Sequence, residues 1–273
     1  MTEHQVLLIS VLAFAGLIVA SVLIFLRQGK IRRRSRQALG LQLFSSLRVL
    51  LTHIQQHRGL SNGYLHGSHE LISEIEGLQK KVSRNIADVA TIDPRVEENE
   101  LWQGITQHWA RLAGNYKRLE SDNNFAQHNQ LIKNLLYLID GIAQRQDLLQ
   151  LRNRDQKPLH LFWRELLSAA EYTGQARAVG TGVAAAAYCD DISRVRLQYL
   201  CRHIESHCHN LWSEIDPVKG APEAVSRLIE AIELRVMKDA PDISASEYFA
   251  IATEAIDNLL NQFDQLIKQQ QWD

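Results

Sequence analysis

The sequence predicts an all-α protein: stacked, antiparallel helical bundles preceded by one transmembrane helix. Three observations carry that prediction. Val6 to Leu26, "VLLISVLAFAGLIVASVLIFL", runs for 21 residues without a charge, long enough to cross a bilayer as a helix. From Leu39 almost to the end, apolar residues recur at helical spacing. Gly and Pro are scarce, 14 and 5 in 273 residues, and the alternation of β-branched residues that marks strands is rare.

Taken in order, the apolar span comes first. Glu3 and His4 are the only titratable side chains before it, whereas Arg27, Lys30, Arg32, Arg33, Arg34 and Arg36 follow it. A cleavable signal peptide carries its positive charges in front and has a shorter apolar region, so that reading fails. The positive-inside rule places Met1 outside and everything after Arg27 in the cytoplasm, as a single-pass protein of the cell inner membrane. The basic cluster also suits anionic headgroups. Gly16 and Ala20 form a small-xxx-small pair of the kind that lets two spans associate.

The chain divides into residues 1–27 with the span, a basic juxtamembrane segment at 28–38, and a helical domain at 39–273. Within the domain, helices are expected at about 35–70, 71–92, 98–120, 124–150, 157–188, 190–214, 221–238 and 245–270. Pro94 in "IDPR" ends the second, and "ESDNN" at 120–124 is a cluster of turn formers. Pro158 stands near a helix start, "DPVKGAPE" at 216–223 is the clearest loop, and Ser244 or Ser246 offers a helix cap. No long linker or low-complexity run separates these elements, and the expectation is that no output module follows the last helix.

Composition bounds the function. A formal net charge of −1 supplies no whole-molecule field for nucleic acid, so any anion binding must be local. Three clustered cysteines, Cys189, Cys201 and Cys208, do not make a secreted disulfide framework and suit a reducing compartment.

The stretch "THIQQHRGLSNGYLHGSHEL", 52 to 71, holds Gly59, Gly63 and Gly67 at every fourth residue beside Arg58. Each glycine costs about 1 kcal/mol relative to Ala inside a helix, so the recurrence needs a reason. A second stretch, "AAEYTGQARAVGTGVAAAAYC" at 169–189, repeats the device: Gly174, Ala178, Gly182 and Ala186 are all small, and Arg177 precedes Ala178. Small faces let helix backbones approach closely, and the expectation is that these two pack on each other. Arg58 and Arg177 would then emerge at one narrow gap. Two guanidinium forks converging there suit a small anion with several oxygens, with Gln55, Ser61, Asn62, Gln175 and Thr181 as further donors. The competing reading pairs Arg58 with Glu171 or another acid and turns Arg177 to water.

These residues resemble the nitrate- and nitrite-sensing (NIT) domain family of bacteria. Its first motif centres on Arg-Gly-Leu-Ser, here Arg58, Gly59, Leu60 and Ser61; its second has Glu, often Gly, then Arg-Ala, here Glu171, Gly174, Arg177 and Ala178. The resemblance covers roughly residues 40–270. It implies an all-α domain of two stacked bundles with nitrate or nitrite held between helices by Arg58 and Arg177. Many relatives carry Glu directly before the first Arg, where this chain has His57, which removes a carboxylate and adds a proton-dependent donor. Nitrate is planar, monovalent and weakly hydrated, so a tight, partly apolar site suits it better than sulfate or phosphate.

Other constellations carry less. In "CRHIESHCH", 201–209, Cys201 and Cys208 share one helix face while His203 and His207 lie on another, so four metal ligands do not converge. Asp190 and Asp191 read as a helix cap. Trp102, Trp109, Trp163, Trp212 and Trp272 read as core or helix-contact residues. No nucleophile elbow, phosphate loop or paired-carboxylate motif is present, so neither an enzyme nor a cofactor is expected. The expectation is a membrane-anchored sensor that binds nitrate or nitrite and signals to a separate protein, with a homodimer compatible. The rival is a membrane-tethered helical scaffold without a small-molecule ligand.

Overall fold

Met1 to Asp93 contains no proline, and nothing else in it is strong enough to stop a helix before Gly67. The span, the basic segment and the first motif helix therefore fuse. The computed structural model describes residues 3–152 and 156–271. Its first helix, α1, runs unbroken over Glu3–Leu65, 63 residues. The break expected near residue 35 does not exist. The helix also stops five residues earlier than expected, because Gly67 takes φ +104°. There Gly67 N–H donates to Tyr64 O (3.0 Å) and Ser68 N–H to Gly63 O (3.1 Å), the pairing that closes a helix through a left-handed residue.

The other helices fall close to their expected places: α2 Ile72–Ile92, α3 Glu100–Asn115, α4 Ser121–Arg145, α5 His160–Ala186, α6 Asp191–Trp212, α7 Ala221–Ala231 and α8 Ala245–Gln271. A π-helical turn, Ile232–Val236, extends α7. Among the described residues there is no strand. Side-chain caps start several helices: Asp190 Oδ1 accepts from Ser193 N–H at 2.9 Å, Asn99 Oδ1 from Trp102 N–H at 3.0 Å and Ser244 Oγ from Glu247 N–H at 3.2 Å. Each such cap is worth about 1 kcal/mol.

Two helical groups stack along α1. Its last turns pack with α2 and α4, and α3 joins them through α4; α5 packs on α6 and α8, with α7 on α8. The middle of α1 lies against the second group, where Arg48 forms an ion pair with Asp264. Leu43, Phe44, Leu47, Leu50, Leu51 and Ile54 bury one stripe of α1, and Phe44 meets Trp163 of α5 edge-on at 5.1 Å. Leu12 to Leu26, by contrast, is exposed. The N-terminal part of α1 is long and apolar enough to cross a membrane. Trp102, Trp109 and Trp163 are core residues and Trp212 packs against the core; Trp272 lies outside the described residues.

Helices α5 and α8 are tightly packed at Gly180. A Cβ there would stand 2.4 Å from the Tyr248 ring. That ring is fully buried and its hydroxyl donates to Ala176 O at 2.8 Å, so it has little freedom to retreat. Gly180→Ala is expected to destabilise the protein by about 2 kcal/mol despite better helix propensity. Thermal unfolding followed by circular dichroism checks this, and an unchanged or raised midpoint would contradict it.

Candidate functional site

Among the described residues Arg58 is the largest fully buried side chain, 1% exposed. It leaves α1 on the face that meets α4 and α5. Its Nη1 donates to Glu171 Oε1 at 2.5 Å and to Asn129 Oδ1 at 2.6 Å, and its Nη2 to Glu171 Oε2 at 3.4 Å. Phe125 lies 5.3 Å from the guanidinium carbon. Glu171 also accepts from Gln55 Nε2 and Gln175 Nε2, both at 2.8 Å. A carboxylate and a guanidinium joined by this many hydrogen bonds in buried surroundings form a stiff, charge-assisted pair.

Gly174 explains one of the glycines. A Cβ there would stand 2.9 Å from Arg58 Nη2, so α5 must be bare at this point for the guanidinium to lie against it. The other small residues do not form the expected helix-on-helix face. Gly59 and Gly182 are exposed, and a Cβ on either would meet nothing within 4 Å. Gly63 faces Leu71 at 3.0 Å, and Gly67 lies beyond the end of α1 as its cap. Ala178 is half-buried. The physical reason is bulk: Arg58 and Gln55 reach across from α1 to Glu171 of α5, and polar side chains fill the space that backbone contact would need.

Arg177 lies on the α8 side of α5. Its Nη1 donates to Thr253 Oγ1 at 3.0 Å, and its guanidinium carbon stands 4.8 Å from the Phe249 ring centre. It is half-buried rather than turned to water. Burial, and then the charge of Arg58, push its pKa down from the usual range, while Asp257 acts in the opposite sense. Among the described residues no carboxylate forms an ion pair with it. Thr181, one turn further along α5, has a buried hydroxyl without a hydrogen-bond partner among the described residues. Ser61 and Asn62 turn to α4 instead: Ser61 Oγ accepts from Asn124 Nδ2 at 3.0 Å, and Asn62 Oδ1 accepts from Ser121 Oγ at 2.7 Å.

His57, beside Arg58, is fully buried and heads a polar chain that sequence reasoning missed. His128 Nδ1 lies 2.7 Å from Asn124 O. A carbonyl only accepts, so that nitrogen carries the hydrogen and Nε2 is an acceptor. His57 Nδ1, 2.8 Å away, must then donate to it, leaving His57 Nε2 to accept from Gln79 Nε2 at 3.1 Å. Each ring is thereby held neutral. Burial lowers the His57 pKa to about 4 and that of His128 to about 3, so His57 supplies no positive charge near neutrality. The signal was available, since Asn124 and His128 sit on the same stripe as buried Leu131, Leu135, Leu138 and Ile142 of α4, and polar residues there must be satisfied internally.

Between α4, α5 and α6 opens a cavity of about 760 Å³ whose walls include Asn129, Glu171 and Gln175. The groups that hold Arg58 can therefore be reached from outside. The cysteine–histidine stretch divides as its spacing requires. Cys201 and Cys208 are buried free thiols, whereas His203 and His207 stack on Tyr172 at 4.7 and 5.4 Å and His207 Nδ1 lies 2.7 Å from Glu165 Oε2.

A family model described as nitrate and nitrite sensing matches residues 49–271. Among solved structures, that of the NasR transcription antiterminator superposes with a TM-score of 0.67 at 15% identity, covering 93% of this chain and 73% of that one. At this identity the likeness speaks for the fold. No curated protein matches the sequence.

Proposed function

The chain belongs to the nitrate and nitrite sensing family, and from that premise we propose that it is a membrane-anchored sensor taking up nitrate or nitrite beside Arg58 and Arg177. The observation that carries this is a charge imbalance along α5, between its α1 side at Arg58 and its α8 side at Arg177. The charge of Arg58 acts on Arg177, and of the two, among the described residues, only Arg58 has a carboxylate in hydrogen-bond contact. One monovalent planar oxyanion would balance the second charge and match the donor forks. The unpartnered hydroxyl of Thr181 offers one more donor, and the cavity beside Glu171 gives a small ion a way in. Ser61 and Asn62 would act at one remove, by fixing α1 against α4.

The basic residues after the apolar stretch favour a cytoplasmic helical domain under an inner-membrane anchor. The ligand would stabilise one packing of α1 against α5, and a separate signalling protein would respond to the arrangement it favours. Nothing in this role requires catalysis. The membrane-tethered scaffold without ligand draws support from one observation, that Glu171 already satisfies Arg58.

Calorimetric titration of the full chain in lipid nanodiscs separates the two. The sensor is expected to bind nitrate or nitrite at one site per chain and to ignore chloride at the same ionic strength. Arg177→Ala is expected to weaken binding by about 30-fold or more, the loss that follows removal of one buried charged partner. Absence of binding by any oxyanion would support the scaffold.

A further inference from the structure

Helix α6 carries apolar residues on two faces. Leu197, Leu200, Cys201, Ile204, Cys208 and Leu211 bury the inner one. On the outer one, Ile192, Val195 and Tyr199 are 74%, 63% and 47% exposed, and Tyr188, just before the helix, is 62% exposed. Within α6, steps of three and four place Ile192, Val195 and Tyr199 at successive a, d and a positions of a heptad. The Tyr199 ring also meets His203 at 4.2 Å, while Ile192 and Val195 stand uncovered at the outer surface.

We propose that this stripe is where a second copy of the same chain docks, α6 against α6 in parallel. Charge flanking the stripe selects the occupant. With Ile192 and Tyr199 at a and Val195 at d, Asp191 falls at g and Arg196 at the following e, both exposed and neither in an ion pair among the described residues. In a parallel pair the g residue of one helix meets the e residue five positions on in its mate. Asp191 therefore meets Arg196 of the other copy, twice by symmetry. An antiparallel pair would instead oppose Arg196 to Arg196 and Asp191 to Asp191.

Membrane anchoring gives the same direction independently. Closed dimers have a two-fold axis. Two chains inserted the same way must place that axis along the membrane normal, and helices of a bundle run near one common direction, so α6 meets its mate parallel. A seam of one heptad is short for free chains, but confinement to a bilayer raises the effective concentration of the second copy. The inference rests on the anchoring part of the proposed function and is independent of the anion.

Disulfide trapping in membranes tests it with the full chain. Val195→Cys is expected to cross-link under mild oxidation about fivefold more than Ser83→Cys on the exposed face of α2, with the unsubstituted chain as blank because its three cysteines are buried. Adding Arg196→Asp to Val195→Cys turns two attractions into two repulsions and should cut the dimer about tenfold. Further adding Asp191→Arg should restore it. Cross-linking no greater than at Ser83→Cys, adducts with a different protein, or failure of the charge swap to restore the dimer would overturn the proposal. Carbonate extraction run alongside shows whether the chain is in the bilayer, so a failed anchor and a failed seam are told apart.

Discussion

Glu171→Gln is expected to lower the thermal midpoint of the full chain by roughly 10 °C, and nitrate to return much of that loss. The substitution keeps shape but sets amide N–H bonds against donors that Glu171 accepts from. It also removes what is, among the described residues, the one carboxylate in contact with Arg58, which is 1% exposed. Leaving a buried charge without its partner costs about 3–5 kcal/mol, and each kcal/mol moves the midpoint by about 2–4 °C for a domain of this size. A monovalent oxyanion that reaches Arg58 can then do part of what Glu171 did. Nitrate should therefore raise the midpoint of Glu171→Gln more than that of the unsubstituted chain. A variant as stable as its parent would show that Arg58 is better solvated than its burial indicates. A variant that nitrate stabilises no more than chloride would place the ligand elsewhere.

Acidification should act nearly as strongly, through His57 and His128. Both have folded pKa values, about 4 and about 3, below the ordinary value of roughly 6.5 that the unfolded chain retains. Above pH 6.5 neither state binds the proton, and stability is full. As pH falls below 6.5 the unfolded chain takes up protons while the folded rings stay neutral, so stability drops by up to about 1.4 kcal/mol per pH unit for each ring. The loss continues until the folded rings titrate near pH 4 and 3. Between pH 7.5 and 5 the pair alone should cost about 4 kcal/mol. Thermal midpoints measured across that range in the parent and in a His57→Gln, His128→Gln variant isolate the effect. Whatever the variant's absolute stability, its midpoint should fall less steeply; parallel slopes would refute the neutral, internally bonded pair.

Much of the fold was legible because it is written in local chemistry. Pro94, the turn formers at 120–124 and the loop at 216–223 mark helix ends by backbone geometry alone, and Asp190 and Ser244 cap the helices that follow them. Arg58 was legible as a buried centre, and Glu171 as one of its candidate partners, since a guanidinium on a helix face that also carries Ile54 must be satisfied within the protein. Contacts that depend on distant chain were not. Thr253 and Phe249, which receive Arg177, lie more than seventy residues beyond it on α8. Glycine spacing misled for a related reason. A regular interval says that side chains are absent, but not whether the space is left for a backbone, for a guanidinium as at Gly174, for a tyrosine ring as at Gly180, or for a left-handed turn as at Gly67. The unbroken α1 was missed because a change from apolar to basic residues alters the surroundings of a helix without ending it.

That continuity has a mechanical side. From Arg27 to Arg58 one uninterrupted helix covers about 45 Å at the usual rise per residue, with no hinge along the way. Ties at Arg36 to Asp147 and at Arg48 to Asp264 clamp this rod to both helical groups. A small twist or piston stroke at the arginine would arrive at the hydrophobic end as the same twist or stroke, as along a drive shaft rather than a tether.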